Sequence, residues 1–420
     1  MLAAFRVRSF RFQWTADLLT SWAFEMETLV LGWYVLVSTG SVLLLTAFGS
    51  LQFLGTLASP MFGVLGDRLG AREMLCAMRA VYATLAAMLT ALALTGTLSP
   101  AWALALAALN GVVRPNDLVM RNSLIGATIP PADLMNALGL SRATMDSARV
   151  AGALAGAGLS ATLGIGPTYV AVTAFYLASL ALTFGVSRRP PVPDPGAPRR
   201  EAPGPASSRW RDLGDGLVHV LVRPTLLAMM LLAFLVNLTA YPVSNGLLPY
   251  AARHVYHVDA TGLGWLVASF AFGGLLASIT MVVTGGWRSA ARATVVATAV
   301  WYAVLLGFGH VRHLGAALLA LAAAGFAQNV AMISMNVVLL AGTEAAFRAR
   351  VMGVRMLAVY GLPVGLVAAG FLIDRIGYPP TITLLSALGL LLTGAIGVRW
   401  RAAMWDAPAA TTRPVTPAAR

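Results

Sequence analysis

Two glutamates two residues apart, Glu25 and Glu27, stand in the middle of the first long apolar stretch of this 420-residue chain. A carboxyl taken out of water is pushed toward its neutral form, so such a group can load and release a proton near neutral pH or hold a cation. At roughly 100° per residue the two point about 200° apart, which excludes a shared-proton pair on a regular helix. Glu25 shares a stripe with Asp17, Ser21, Thr28 and Gly32, and Glu27 shares another with Gln13, Thr20 and Tyr34. Both are candidates for proton coupling, with Glu25 preferred.

Three further apolar stretches carry polar groups. Asn110, Arg114, Asp117 and Arg121 fall on one helical stripe. There Arg114 suits an anionic substrate group or the steering of a nearby carboxylate. The alternative is plain neutralisation by Asp117. Asn237, Thr239, Tyr241, Ser244 and Asn245 surround Pro242, a helix breaker, and Gln328, Asn329, Ser334 and Asn336 occupy a later stretch. Of these, Asn110, Arg114, Asn237, Tyr241, Asn245, Gln328, Asn329 and Asn336 are expected to line a substrate cavity. His254, His257, Asp259, His310 and His313 lie in short loops at one side, which brings them close without requiring a metal. No nucleotide loop, zinc spacing or catalytic cluster accompanies them, so the chain reads as a transporter and not an enzyme, with no cofactor.

The elements that hold these residues must lie in lipid. Hydrophobic residues make up 58% of the chain and charged ones 11%, with mean hydropathy +0.77. Soluble domains carry about 25% charged residues, so a soluble fold is excluded. The net charge of +13 is no nucleic-acid footprint, because the 29 basic residues, all arginine, flank apolar runs instead of forming one patch. Cys76, the single cysteine, excludes an internal disulfide.

Apolar runs of about 20 residues read as transmembrane helices. Twelve are expected, near 14–37, 42–65, 74–96, 101–125, 138–160, 167–186, 225–250, 260–284, 293–310, 314–341, 351–373 and 380–399. With the N-terminus inside, 22 of the arginines fall in inner segments, three in outer loops and four within spans, which places both termini in the cytoplasm. The Pro- and Arg-rich stretch after Ser187 reads as an extended linker, and Trp210 to Val222 as a short amphipathic surface helix. The division is an N-terminal six-helix bundle (1–186), a cytoplasmic linker (187–222), a C-terminal bundle (223–400) and a tail (401–420). The halves echo one another: Gly139 and Gly156 of the fifth span align with Gly353 and Gly370 of the eleventh, and Arg68 and Arg72 with Arg288 and Arg292. Polar residues fall in every third span from the first. The first, fourth, seventh and tenth helices are therefore expected to face a wet cavity, and the third, sixth, ninth and twelfth to face lipid.

The loop Gly63-Val-Leu-Gly-Asp67-Arg68-Leu-Gly70-Ala-Arg72 resembles the loop signature of the major facilitator superfamily, with Ala71 at its penultimate basic position. That resemblance implies an all-α integral membrane protein of twelve transmembrane helices in two pseudo-symmetric six-helix bundles. It also implies that Gly63, Asp67, Arg68, Gly70 and Arg72, with Arg121 and Arg149, act as a conformational latch. The segments Glu25 to Val35 and Arg121 to Gly156 look most like the enterobactin-exporter or transmembrane-secretion-effector branch. Ala148 to Gly156 resembles the antiporter signature, with Ala153 in place of its proline. The expected function is export of a small amphipathic compound, drug- or siderophore-like, by alternating access and proton-coupled antiport. A dedicated metabolite exporter or an importer of the same fold is the alternative. The expected setting is the bacterial cytoplasmic membrane, with a small-molecule substrate, the lipid bilayer and the proton gradient as partners, no nucleic acid, and a monomeric state.

Overall fold

The structure, a computed structural model, describes residues 3–56, 69–187, 206–284, 289–344 and 347–405. Serines cut the apolar stretches into helices. Ser41, Ser99 and Ser289 each accept a backbone N–H at a helix start, satisfying one of the donors that a helix leaves free. The N-terminal helices are α1 (Arg8–Thr39), α2 (Val42–Leu51), α3 (Ala71–Leu94), α4 (Pro100–Val113), α5 (Asp117–Thr128), α6 (Pro131–Leu163) and α7 (Ile165–Phe184). After the linker come α8 (Ala206–Val222), α9 (Pro224–Thr239), α10 (Leu248–His254), α11 (Ala260–Thr284), α12 (Ala290–Phe308), α13 (Leu314–Ala341), α14 (Arg348–Ala358), α15 (Gly361–Ile376) and α16 (Tyr378–Arg399).

Among the described residues, eight helical segments are long and apolar enough to cross a membrane. The other four expected spans all lie in the N-terminal half, and the architecture is consistent with twelve. Helices α1 and α6 carry charged residues in their middles, and α2 is short. The fourth span is split into α4 and α5 by a tight turn at Arg114–Asn116, because Pro115 has no N–H to continue the ladder. Pro242 has the same effect between α9 and α10, where Pro242–Gly246 forms a π-helical turn.

Helix α1 packs on α6 and α7, and α7 on α3; in the second half α13 packs on α11 and α12, α12 on α16, and α9 on α15. Two bundles result. They meet along two antiparallel seams, α6 with α11 and α2 with α15. A Cβ on Gly264, early in α11, would lie 2.4 Å from Ala157 late in α6. One on Gly370, late in α15, would lie 2.2 Å from Thr46 early in α2. These contacts put the starts of α1, α6 and α14 at one end of the molecule, here termed the basic end, and the seam contacts toward the far end.

The clearest echo of the two halves is a single glycine joining their last two helices: Gly164 between α6 and α7, and Gly377 between α15 and α16, both at φ 82°. Only glycine adopts this conformation without strain. The sequence alignment of Gly156 with Gly370 does not carry over into their surroundings. Gly156 lies against Met26 within its own bundle, whereas Gly370 faces the opposite bundle. Glycine pairs four residues apart do correspond in role. Gly152 and Gly156 let α6 reach Trp22 and Met26 of α1, and Gly361 and Gly365 let α15 reach Phe234 and Leu238 of α9.

The expected lipid faces carry exposed apolar side chains, including Val81 and Met88 on α3, Leu177 on α7, Val300 on α12 and Leu391 on α16. The expected surface helix before the seventh span is α8, which packs on α14. There His219 stacks on Phe347 at 4.4 Å, and Arg350 approaches Asp215 at 3.8 Å.

Candidate functional site

A cavity of about 520 Å³ lies between the bundles. Toward the far end it is closed by Leu366, which a Cβ on Gly49 would meet at 3.2 Å and one on Gly246 at 2.1 Å. Ser50 Oγ donates to Pro363 O across this interface at 3.1 Å. Toward the basic end the lining includes Arg142, Met145, Met356 and Val359. The Arg142 side chain there is 60% exposed, so the cavity is reached from that end.

The two walls differ in chemistry. Among the described residues, all seven charged lining residues belong to the N-terminal bundle: Glu25, Arg114, Asp117, Arg121, Arg142, Asp146 and Arg149. The C-terminal wall is Asn237, Tyr241, Ser244 and Asn245 set among Leu263, Val267, Phe270, Met356, Val359, Leu362 and Leu366. Asn237 bonds to Ala233 O of its own helix and Asn245 to Ser244 Oγ.

The two glutamates separate as their 200° offset requires. Glu25 lines the cavity with Ser21, Thr28 and Gly32 of its stripe. Its Oε1 lies 3.7 Å from Arg149 Nε, with the two side chains 25% and 42% exposed. Glu27 turns into the bundle. Its Oε2 accepts from Asn110 Nδ2 at 3.0 Å and from Tyr176 Oη at 2.8 Å. Asn110, expected in the cavity, is thereby committed to Glu27.

The sequence reading missed a buried charge cluster. Asp17 pairs with Arg79 of α3, which also donates to Thr183 Oγ1 of α7. Arg121 Nε pairs with Asp117 and lies 3.5 Å from Asp17 Oδ1, and its Nη1 donates to Ser21 Oγ at 2.9 Å. Two acids and two arginines thus balance within the N-terminal bundle. Arg79 was legible as a lone charge in an apolar span, and Asp17 as a member of the Glu25 stripe; only the packing of α3 on α7 and α7 on α1 brings them together. The alternative of neutralisation of Arg114 by Asp117 does not hold, since Asp117 takes Arg121 one turn further along α5. Arg114 instead donates to Thr28 Oγ1 at 2.7 Å and Gln52 Oε1 at 2.5 Å, and stacks over Phe24 at 4.5 Å.

Three tenth-span residues expected in the cavity lie outside its lining. Gln328 Nε2 donates to Tyr241 Oη at 2.7 Å, and so supports a lining residue from behind. Asn329 Nδ2 reaches Gly274 O at 2.5 Å and Ser278 Oγ at 3.1 Å, both on α11. Asn336 is half-buried, with an oxygen that lacks a hydrogen-bond partner. Among the latch residues, Gly63, Asp67 and Arg68 lie outside the described residues. Gly70 sits at φ 91° before α3. Arg72 donates to Val186 O at 2.7 Å and Phe184 O at 2.9 Å, covering carbonyls at the end of α7 as a basic side chain does at a helix C-terminus. Arg121 and Arg149 pair within the N-terminal bundle, as described above. Among the described residues no group of three or more His, Cys, Asp or Glu is placed to hold a metal ion.

Two bundles around a central cavity define a membrane carrier, and the comparisons agree. The sequence profile of the Major Facilitator Superfamily matches residues 16–358. The chain belongs to that superfamily, and is a multi-pass membrane transporter and not an enzyme. No curated protein matches the chain. Solved structures share its fold at low identity. A POT family transporter in complex with 5-aminolevulinic acid is 11% identical with a TM-score of 0.71, covering 94% of this chain and 96% of that one. The nucleoside transporter NupG is 13% identical with a TM-score of 0.69, covering 94% and 99%. A bacterial homologue of the human lysosomal transporter Spinster, in an inward-facing and unoccupied conformation, is 16% identical with a TM-score of 0.63, covering 95% and 96%.

Proposed function

We propose that this transporter exports a small amphipathic organic compound, drug- or siderophore-like, by alternating access coupled to inward proton flow. The carrying observation is the cavity between the bundles, with apolar side chains on both walls and its charged lining residues on one. Its volume, about 520 Å³, falls within the roughly 300–1,000 Å³ of pockets that enclose drug-sized ligands. The arginine bias supports reading the basic end as the cytoplasmic one. The cavity then loads from inside, as export requires. Rocking about the seams α6–α11 and α2–α15 would expose it to the other side.

Glu25 is the assigned proton carrier. As a carboxylate it pairs with Arg149 across 3.7 Å; protonation removes that attraction and frees the arginine. Asn237, Tyr241 and Asn245 supply neutral hydrogen bonds to the cargo. The loop around Asp67 and Arg68, with Gly63, Gly70, Arg72, Arg121 and Arg149, is assigned to the latch at the basic end. A monomer suffices, because both walls come from one chain. The resemblance to the enterobactin-exporter branch supports the same direction of transport.

The test is accumulation of a panel of dyes, antibiotics and siderophores in an efflux-deficient bacterium. Lower accumulation with the wild-type protein, lost in Glu25→Gln at equal membrane abundance, is the expected result. Equal activity of Glu25→Gln removes Glu25 from coupling. Raised accumulation with the wild type would reverse the direction and make the protein an importer.

A further inference from the structure

The charges of the cavity wall do not cancel. Asp117 is matched by Arg121, Asp146 by Arg142 at 3.4 Å, and Glu25 by Arg149 at 3.7 Å. Asp17 and Arg79 match one another behind the wall. Arg114 remains. Among the described residues no carboxylate forms an ion pair with it, and its partners Thr28, Gln52 and the Phe24 ring are all neutral. Glu27 lies behind it within electrostatic range, yet forms no ion pair with it and is held by Asn110 and Tyr176.

A further cation of the C-terminal bundle stands outside the cavity lining. Arg355 of α14 has no ion-pair partner among the described residues, and stands within electrostatic range of Arg142 and Tyr241. A cation removed from water is costly unless an anion accompanies it. Neutral acceptors orient a guanidinium without cancelling its charge, and its planar fork matches a carboxylate or phosphate.

We infer that the cargo is an amphipathic organic anion, its acidic group seated on Arg114 and its apolar body on the Leu263, Phe270 and Leu362 side of the cavity. This assignment rests on reading the cavity as the substrate site. Thr28 and Gln52 hold the guanidinium in place from α1 and α2, so the cationic site is preformed. Arg355 enters only through its field, and its removal weakens binding less than removal of Arg114.

The experiment uses the full chain, purified in detergent, and three probes with one apolar body: naphthylacetate, naphthylacetamide and naphthylmethylammonium. Calorimetric affinity for the wild type is expected to rank the carboxylate first and the ammonium last. Arg114→Gln should weaken naphthylacetate about thirtyfold or more, as removing one partner of a desolvated charge pair does. Arg114→Lys should keep part of the preference, and neither variant should weaken the ammonium compound. The wild-type ranking alone tests the assignment should a variant misfold. Preference for the ammonium probe overturns the anion assignment while leaving the cavity as the binding site. No binding of any probe, or binding indifferent to head group and to Arg114, overturns the cavity reading as well.

Discussion

Asp17 and Arg79 form an ion pair in the interior of the N-terminal bundle, with side chains only 5% and 0% exposed. Asp17 also faces Arg121, which Asp117 neutralises from the other side. The four groups balance only as a set. Asp17→Asn leaves two buried arginines and one acid, an excess charge in a low-dielectric interior. Such a break costs about 3–5 kcal/mol. A sharp fall in thermal unfolding temperature in detergent is expected. The double variant Asp17→Asn with Arg79→Gln restores neutrality and should recover part of the loss.

Glu27 accepts two hydrogen bonds inside the bundle, whereas Glu25 lines the cavity. Glu27→Leu strands Asn110 Nδ2 and Tyr176 Oη, at about 1–3 kcal/mol for each unsatisfied group. Glu27→Gln retains an oxygen acceptor and should be milder. The check is thermal unfolding beside efflux: Glu27→Gln keeps transport, and Glu27→Leu loses stability first.

Gly370 and Thr46 hold the far end closed, and a Cβ at position 370 would lie 2.2 Å from Thr46 Oγ1. Gly370→Ala therefore disfavours this conformation against one open at the far end. Spin-label distances between introduced cysteines at the far ends of α2 and α15 should lengthen. Cys76 is buried, which keeps background labelling low. Gly139→Ala, with nothing within 4 Å of its new Cβ, is the silent control.

Within the C-terminal bundle, α11 and α13 approach to backbone contact. A Cβ on Gly273 would lie 1.8 Å from Ala322 O, and one on Gly325 1.9 Å from Phe270 O. Small residues permit such close packing in lipid. Gly325→Val should force the helices apart at a cost of about 1–3 kcal/mol, read as a lower yield of monodisperse protein.

Much of this was legible in the residues. The polar cadence marked the first, fourth and seventh helices, which line the cavity, but also the tenth, which does not, and missed α2, α6, α11, α14 and α15; 100° spacing placed Ser21, Glu25, Thr28 and Gly32 on one wall. What the sequence does not record is which helices are neighbours. Asp17 belongs to the Glu25 stripe, yet turns to α3 because Arg79 is there to meet it. Asn329 sits beside Gln328, but the two point about 100° apart, so one supports Tyr241 while the other ties α13 to α11. The turn at Pro115 shifts the register of the fourth span, and Asp117 pairs with Arg121 instead of Arg114.

The unequal walls of the cavity separate two tasks that a carrier must perform. Among the described residues, every charged lining residue sits on the first half of the chain. Apolar side chains line both halves, and the described lining of the second half is wholly uncharged. Changes at Val267, Met356, Val359 or Leu362 can therefore alter which molecules fit without touching the charged groups of the opposite wall. A lineage of such proteins is free to broaden or narrow its cargo through its C-terminal half while the charged wall stays constant.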